Sequence, residues 1–155
     1  MLRVGVIGAG IMGSNHGRVL AGLAGVRFAG IVDPLAAHRT RAAEMIGCRT
    51  FATFEELMAA GVDAVTIAAP THLHCELALA CIERGVHILV EKPIASTVEE
   101  GCKIVTAAQR AGLTLMVGHV ERFNPAVAAI KQAIKGEDIL SIAITRVGPF
   151  PPRMS

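Results

Sequence analysis

The sequence predicts a doubly wound α/β fold, in which helices cover both faces of a parallel sheet. Short runs rich in Val and Ile alternate with longer segments of helical period along most of the 155 residues. The chain is 52% hydrophobic, yet it contains only five Phe and no Trp or Tyr. Its core must therefore be built from small aliphatic side chains, as is usual for a parallel sheet buried on both faces.

Six strands and five helices are predicted in alternation up to residue 117. The strands are 3–7, 26–32, 49–51, 63–68, 87–90 and 113–117. The helices are 11–24, 36–46, 53–60, 74–84 and 97–111. Thr53 and Glu56 have the spacing of a capping box, Ser96 or Thr97 caps the fifth helix, and Gly85 and Gly112 are expected helix ends.

The pattern changes after Gly118. A helix beginning at Pro125 is expected to run to about 135, and segment 138–147 alternates Leu140, Ile142 and Ile144 with small or polar residues. That period of two predicts a half-buried strand of a different, antiparallel sheet. We therefore expect a parallel-sheet domain at 1–120 and, at 121–155, the truncated start of a second α+β domain with an open sheet.

Composition excludes several classes of protein. Fifteen Lys and Arg against thirteen Asp and Glu give a formal net charge of +2, which predicts neither nucleic-acid nor membrane-surface partners. The four Cys lack C-x-x-C spacing, so we expect reduced thiols and a cytoplasmic protein. No apolar run approaches the ~18 residues of a membrane helix.

The run from Gly8 to Gly13 (GAGIMG) matches the pattern G-x-G-x-x-G. It lies between a predicted strand and a predicted helix, the context in which Rossmann folds bind a dinucleotide. Gly8 would permit the tight turn, Gly10 the approach of the diphosphate, and Gly13 the close packing of helix on strand. The helix start at Ile11 and Met12 would supply free N–H groups and a positive dipole end.

Asp33 ends the second predicted strand, twenty residues beyond Gly13. A carboxylate there can accept hydrogen bonds from both adenosine ribose hydroxyls and repels a 2′-phosphate, which predicts NAD rather than NADP. Arg39 and Arg41 would partly offset that repulsion. Two alternatives stay open: Asp33 starts a turn with Pro34, or the loop belongs to a methyltransferase that binds S-adenosylmethionine.

Other candidate residues follow the fourth, fifth and sixth strands, at the sheet edge where ligands bind in such folds. Lys92, in the run Glu91-Lys92-Pro93, could bind a substrate hydroxyl and assist its proton transfer, although a solvated surface charge is the alternative. His119 could line the pocket or simply pack, and His16 on the first helix is expected to pack near the cofactor.

The loop after the fourth strand is predicted to line the nicotinamide pocket. Its candidate residues are Ala69, Pro70, Thr71 and His74. His72 and His74 form an H-x-H pair, but no suitable third ligand lies nearby, so no metal is predicted.

With these motifs, the chain resembles the Gfo/Idh/MocA oxidoreductase family (glucose–fructose oxidoreductase, inositol dehydrogenase, rhizopine catabolism). The most specific stretches are Ala69 to His74, Glu91-Lys92-Pro93-Ile94-Ala95 and Val117 to Pro125. Together with the run from Arg146 to Arg153, the last is similar to the UDP-N-acetylglucosamine 3-dehydrogenases of the family.

The resemblance implies an NAD-dependent dehydrogenase acting on a secondary alcohol of a sugar or sugar nucleotide, with UDP-N-acetylglucosamine C3 as one candidate. It assigns Lys92 to the active site, before a cis peptide bond to Pro93, with Glu91 and Lys92 near the cofactor. Full-length members are expected to form homo-oligomers. The family's second domain supplies an Asp and a His that this sequence lacks, which leaves two alternatives: an NAD-binding module without turnover, or a cofactor-free domain used in assembly.

Overall fold

A computed structural model of the chain describes residues 1–145 and residue 147. Its centre is a six-stranded sheet in which every strand pair is parallel and the order is β3-β2-β1-β4-β5-β6. The strands are β1 Leu2–Ile7, β2 Val26–Val32, β3 Thr50–Phe51, β4 Ala64–Ile67, β5 His87–Val90 and β6 Leu115–Val117. The predicted doubly wound parallel sheet is therefore confirmed.

Five α-helices connect the strands, and in the described part of the chain a sixth follows them. They are α1 Ile11–Ala21, α2 Ala36–Ile46, α3 Phe54–Ala59, α4 His74–Glu83, α5 Val98–Ala111 and α6 Pro125–Ala133. Thr53 and Thr97 cap α3 and α5, since their side chains accept from the N–H of Glu56 and Glu100. Most ends lie within two residues of the prediction, but α1 stops at Ala21 rather than residue 24, because Gly22 forms its C-cap.

The core forms on both faces of the sheet, because successive residues of a strand point to opposite sides. Val6 and Ile31 pack with Ala42 in one cluster, on the side of α1 and α2. Their chain neighbours Ile7 and Val32 belong to a larger cluster on the other face. That larger cluster also includes residues of α4 and α5, so helices bury the sheet from both sides.

The chain divides into two compact units, Met1–His119 and a second that begins at Val120. In the second unit, Asn124 caps α6 by accepting from the N–H of Ala126. The strand predicted over 138–147 was wrong for the described residues, since 138–145 and 147 contain no strand. Alternation makes a segment suitable for a sheet, but a strand forms only with a hydrogen-bonding partner, and Leu140 and Ile144 are instead almost fully exposed. Whether these residues start a second domain stays a prediction.

Candidate functional site

The register of the sheet aligns the ends of its strands. Ile7 pairs with both Val32 and Ile67, Ile67 pairs with Val90, and Val90 pairs with Val117. The residues that follow therefore leave the sheet at one level; these are Gly8, Asp33, Ala68, Glu91 and Gly118. The strand order reverses between β1 and β4, and open α/β sheets bind ligands outside the carboxyl ends of their strands at such a point.

The three glycines of the loop between β1 and α1 have different surroundings. Gly8 has a φ of +98°, and a Cβ there would lie 2.8 Å from the Ala68 carbonyl oxygen. A Cβ on Gly13 would lie 1.7 Å from the Gly8 carbonyl oxygen. The protein's own backbone therefore requires glycine at both positions. A Cβ on Gly10, by contrast, would meet no atom within 4 Å.

The N-terminal end of α1 is open to a ligand. Gly10 is its N-cap, and among residues 1–145 and 147 no side chain makes a capping hydrogen bond there. Ser14 is the first residue to donate back into the helix, to the Gly10 carbonyl oxygen at 2.9 Å. The N–H groups of the first turn lack intrahelical acceptors, and they carry the positive end of the helix dipole. The exposed Ile11 and Met12 lie in this turn.

The Asp33 carboxylate is buried and already bonded within the protein. Its Oδ2 accepts from Ala9 N at 2.8 Å and lies 3.2 Å from His38 Nδ1, while Oδ1 accepts from Leu35 N at 2.9 Å. A carboxylate offers about four acceptor positions. Oδ1 therefore keeps an acceptor position for a ligand beside its bond from Leu35 N. The expected contact of Asp33 with both ribose hydroxyls stays a prediction.

A cavity of about 450 Å³ begins at the Asp33 side chain. Most of its lining is apolar, and it joins the ends of β1, β2 and β4. Among the predicted cofactor residues, it brings together Gly8, Asp33, Ala69 and Pro70. Its apolar walls suit a flat, weakly polar ring system.

Glu91 and Lys92 lie at the end of β5. The buried Glu91 is bonded through Oε1 to His16 Nε2 at 2.8 Å, which connects β5 to α1. Its Oε2 accepts from Lys92 N at 3.2 Å, and the Lys92–Pro93 peptide bond is cis, as the resemblance implied. The Lys92 side chain is exposed. His16 thus holds the carboxylate beside Lys92 rather than merely packing.

His74 is buried and connects two loops. Its Nδ1 lies 2.9 Å from the Pro93 carbonyl oxygen and its Nε2 lies 2.8 Å from the Ala69 carbonyl oxygen. Carbonyl oxygens only accept, so the ring nitrogen that carries hydrogen donates to the carbonyl it faces, and the tautomer decides which one. No ring nitrogen is left for a cofactor. The structure gives His74 the role of holding the loop after β4 against the segment that follows Lys92.

The remaining candidates lie apart from the cavity lining. Thr71 is half-buried in a 3-10 helix over Thr71–Leu73, and the exposed His119 follows β6, where its N–H donates to the Val117 carbonyl oxygen. Among residues 1–145 and 147, no three His, Cys, Asp or Glu side chains group in a way that could hold a metal. No helix in the described part of the chain is long and apolar enough to cross a membrane.

Sequence reasoning missed part of the cavity wall. His38 from α2 lines it, as do Phe54 from α3 and Leu77 from α4. Of these three residues, only His38 could have been predicted from the sequence, because it lies five residues after Asp33, on the first turns of the next helix. Nothing in the local pattern distinguishes Phe54 or Leu77 from ordinary core residues.

Comparison with known proteins agrees with this geometry. Residues 2–119 match the family model GFO_IDH_MocA, described as an oxidoreductase family with an NAD-binding Rossmann fold. The prediction of an NAD-binding domain is thereby confirmed at the level of the family. The match ends where the first compact unit ends.

Individual relatives carry dehydrogenase names. The chain is 36% identical over 152 residues to a UDP-N-acetylglucosamine 3-dehydrogenase of Acidithiobacillus ferrooxidans, and 36% identical over 159 residues to inositol 2-dehydrogenase 4 of Saccharopolyspora erythraea. These alignments cover 98% and 97% of this chain. Each covers 47% of the relative, so the chain spans about half the length of these curated relatives.

Solved structures give the same result. The Acidithiobacillus ferrooxidans UDP-N-acetylglucosamine 3-dehydrogenase superposes with a TM-score of 0.77 at 37% identity, over 85% of this chain and 43% of that one. The WlbA dehydrogenase of Bordetella pertussis, in complex with NADH and UDP-GlcNAcA, superposes with a TM-score of 0.80 at 29% identity. That alignment covers 86% of this chain and 42% of the dehydrogenase.

Proposed function

This chain belongs to the Gfo/Idh/MocA oxidoreductase family, and from that premise we propose that it holds NAD for hydride transfer to or from a sugar or sugar nucleotide. The reacting group would be a secondary alcohol. The C3 hydroxyl of UDP-N-acetylglucosamine is the first candidate, since one relative carries that activity in its name and a second structure contains a UDP-sugar.

The contrast among the loop glycines carries the proposal. Internal packing explains glycine at positions 8 and 13, but it gives no reason for glycine at 10, where a Cβ would project into open space. Close approach of a ligand supplies that reason. The N-terminal end of α1, which has no side-chain cap, adjoins this space. Its free N–H groups can donate to a diphosphate, and the positive end of the helix dipole favours the negative charge of that group.

The other residues would hold the two ends of the dinucleotide. The open acceptor position on Asp33 Oδ1 fits one ribose hydroxyl, and the apolar cavity beside it fits the adenine. Ala69, Pro70 and Thr71 at the end of β4, together with Glu91 and Lys92, lie toward the nicotinamide end along the same edge of the sheet. When bound, NAD supplies a hydride acceptor or donor at C4 of its nicotinamide.

Lys92 would move the proton. Its side chain is exposed, so its amino group is free to reach a substrate hydroxyl. Its backbone is fixed on one side by Glu91 and on the other by the Pro93 carbonyl, which His74 binds. General acid–base assistance of this kind contributes about 10²- to 10⁴-fold to a rate. His119, exposed after β6, is the second candidate contact with the substrate.

Two measurements test the proposal. Isothermal titration should detect NAD binding to the chain, and Lys103→Ala, on the exposed surface of α5, should bind equally well. NADH formation should then be assayed with UDP-N-acetylglucosamine and with inositol, where Lys92→Met should lose at least about 10²-fold in rate. Absence of NAD binding would refute the proposal.

A second candidate is NAD binding without turnover. It is favoured because the predicted cofactor residues all lie in the unit Met1–His119, whereas only Lys92 and His119 there are candidates for contact with a substrate. Normal NAD binding with no NADH from any sugar tested would select this candidate over catalysis.

A further inference from the structure

The carboxylate of Glu91 lies where three elements of the fold meet. Its Oε1 is 2.8 Å from Nε2 of His16 on α1, and its Oε2 accepts from Lys92 N at 3.2 Å. An ionised carboxylate only accepts, so the His16 ring donates this hydrogen bond from Nε2. The side chain of Glu91 is 9% exposed and that of His16 is 21% exposed. A largely buried hydrogen bond therefore joins α1 to the end of β5.

Gly118, which follows β6, leaves the space that this carboxylate occupies. A Cβ at position 118 would lie 3.0 Å from both Cδ and Oε1 of Glu91, which is tighter than an ordinary van der Waals contact. Gly118 does not have a positive φ, so its backbone conformation gives no reason for glycine. The buried carboxylate supplies that reason, and it is thus fitted by residues of α1, β5 and the end of β6.

The hydrogen bond crosses the point where the strand order reverses. β4 lies between β1 and β5, so the strands that precede α1 and Glu91 are two spacings apart, roughly 10 Å. Val90 packs in the cluster that includes α4 and α5, so the next residue, Glu91, points to the side of α1. His16 lies on the second turn of α1. The helix that would bind the diphosphate therefore also contacts the residue before Lys92.

Resting on the proposed function, we propose that His16 is a positioning residue for the nicotinamide half of the cofactor. It acts through Glu91, because its hydrogen bond holds the carboxylate and the carboxylate binds the backbone N–H of Lys92. Without a donor at position 16, the end of β5 loses its fixed place relative to α1. The adenosine and the diphosphate depend instead on Asp33 and on the loop around Gly10, so their binding does not need this hydrogen bond.

The test compares NAD with ADP, which has the adenosine and both phosphates but lacks the nicotinamide riboside. In isothermal titration, His16→Leu should weaken NAD binding by about two- to tenfold, the contribution of one hydrogen bond, and leave the dissociation constant of ADP unchanged. His16→Gln is the matched variant, because its side-chain amide can still donate to Glu91. It should bind both ligands as the unmodified chain does.

Gly118→Ala disturbs the same carboxylate from a different element. Its Cβ requires Glu91 to move by a few tenths of an ångström, while the backbone at this position suits alanine. We expect a loss of NAD affinity without a loss of ADP affinity, as in His16→Leu. Because both changes act on one group, the double variant should weaken NAD binding by less than the product of the two single factors.

The outcomes separate positioning from packing. A residue that merely packs α1 would change the binding of both ligands alike when replaced. Equal changes for NAD and ADP in His16→Leu, unchanged NAD affinity in that variant, or no recovery in His16→Gln would overturn the proposal while leaving NAD binding intact. Single losses that multiply in the double variant would also overturn it. Failure of the unmodified chain to bind NAD would instead refute the proposed function.

Discussion

Replacing Gly10 with alanine isolates the ligand-binding role of the loop from its role in folding. The residue has a φ of −66° and a ψ of −170°, a conformation that alanine adopts freely. The added Cβ would contact nothing within 4 Å in the free protein. The change therefore alters the space beside the uncapped end of α1 and little else.

The expected effect on stability is small, because two contributions oppose each other. Alanine is a poorer N-cap than glycine by roughly 1 kcal/mol, whereas replacing glycine restricts the unfolded chain and returns about 0.4–1 kcal/mol. The free energy of unfolding should change by less than about 0.5 kcal/mol. Binding should change far more: a Cβ that displaces the diphosphate removes at least one charge-assisted hydrogen bond worth about 1.5–3 kcal/mol, which weakens NAD affinity about ten- to hundredfold.

Gly13→Ala is the matched contrast in the same loop. Its Cβ would lie 1.7 Å from the Gly8 carbonyl oxygen, so the helix and the loop must move apart. Overpacking costs typically about 1–3 kcal/mol, and a backbone clash this close belongs at the upper end. Urea denaturation should show lower stability for this variant alone, while isothermal titration should show weak NAD binding for both. Unchanged NAD affinity in Gly10→Ala would refute the placement of the diphosphate.

Three further predictions concern the rest of the molecule. Hydrogen bonds from Arg3, the closest 2.6 Å long, lower the pKa of Asp63 to about 2. The ionised carboxylate therefore stabilises the folded protein fully above about pH 4, and this contribution is lost as pH falls through 2. Acid denaturation followed by circular dichroism should show a smaller loss of folded-state stability over that pH range in Asp63→Asn than in the unmodified chain. Burial raises the pKa of the Cys81 thiol to about 12. Iodoacetamide at pH 8 should therefore modify the exposed Cys102 in the native protein, and it should modify Cys81 only after unfolding. His74→Phe should lower the free energy of unfolding by about 1–3 kcal/mol, the cost of leaving a buried carbonyl without its donor. A urea midpoint equal to that of the unmodified chain would contradict the bridging role.

Local features of the sequence were sufficient to place the elements and the nucleotide loop. The alternation of aliphatic runs with helical segments reflects burial on both faces of a sheet, and it placed all six strands. The pattern from Gly8 to Gly13 and the acid at position 33 depend on spacing within one strand–helix–strand unit. That spacing is fixed by chain geometry, so it is visible without the fold.

The same reasoning failed where a neighbour distant along the chain decides the outcome. Segment 138–147 has the period of a strand, yet a strand also needs a partner, which periodicity does not report. Sequence patterns also gave no sign of the contacts of His74, whose ring lies between two carbonyl groups, one of them nineteen residues away. Its predicted place near the cofactor stays a prediction.

Which residues end the strands, and which chemical groups they carry, follow from the amino-acid order alone. Packing sets how those groups share their hydrogen bonds: Asp33 accepts from Ala9 N and contacts His38, and Glu91 contacts His16, which lies 75 positions away. The difference arises because periodicity and spacing record contacts within a single element. The number of acceptor positions left for a ligand depends instead on donors that packing brings from other elements.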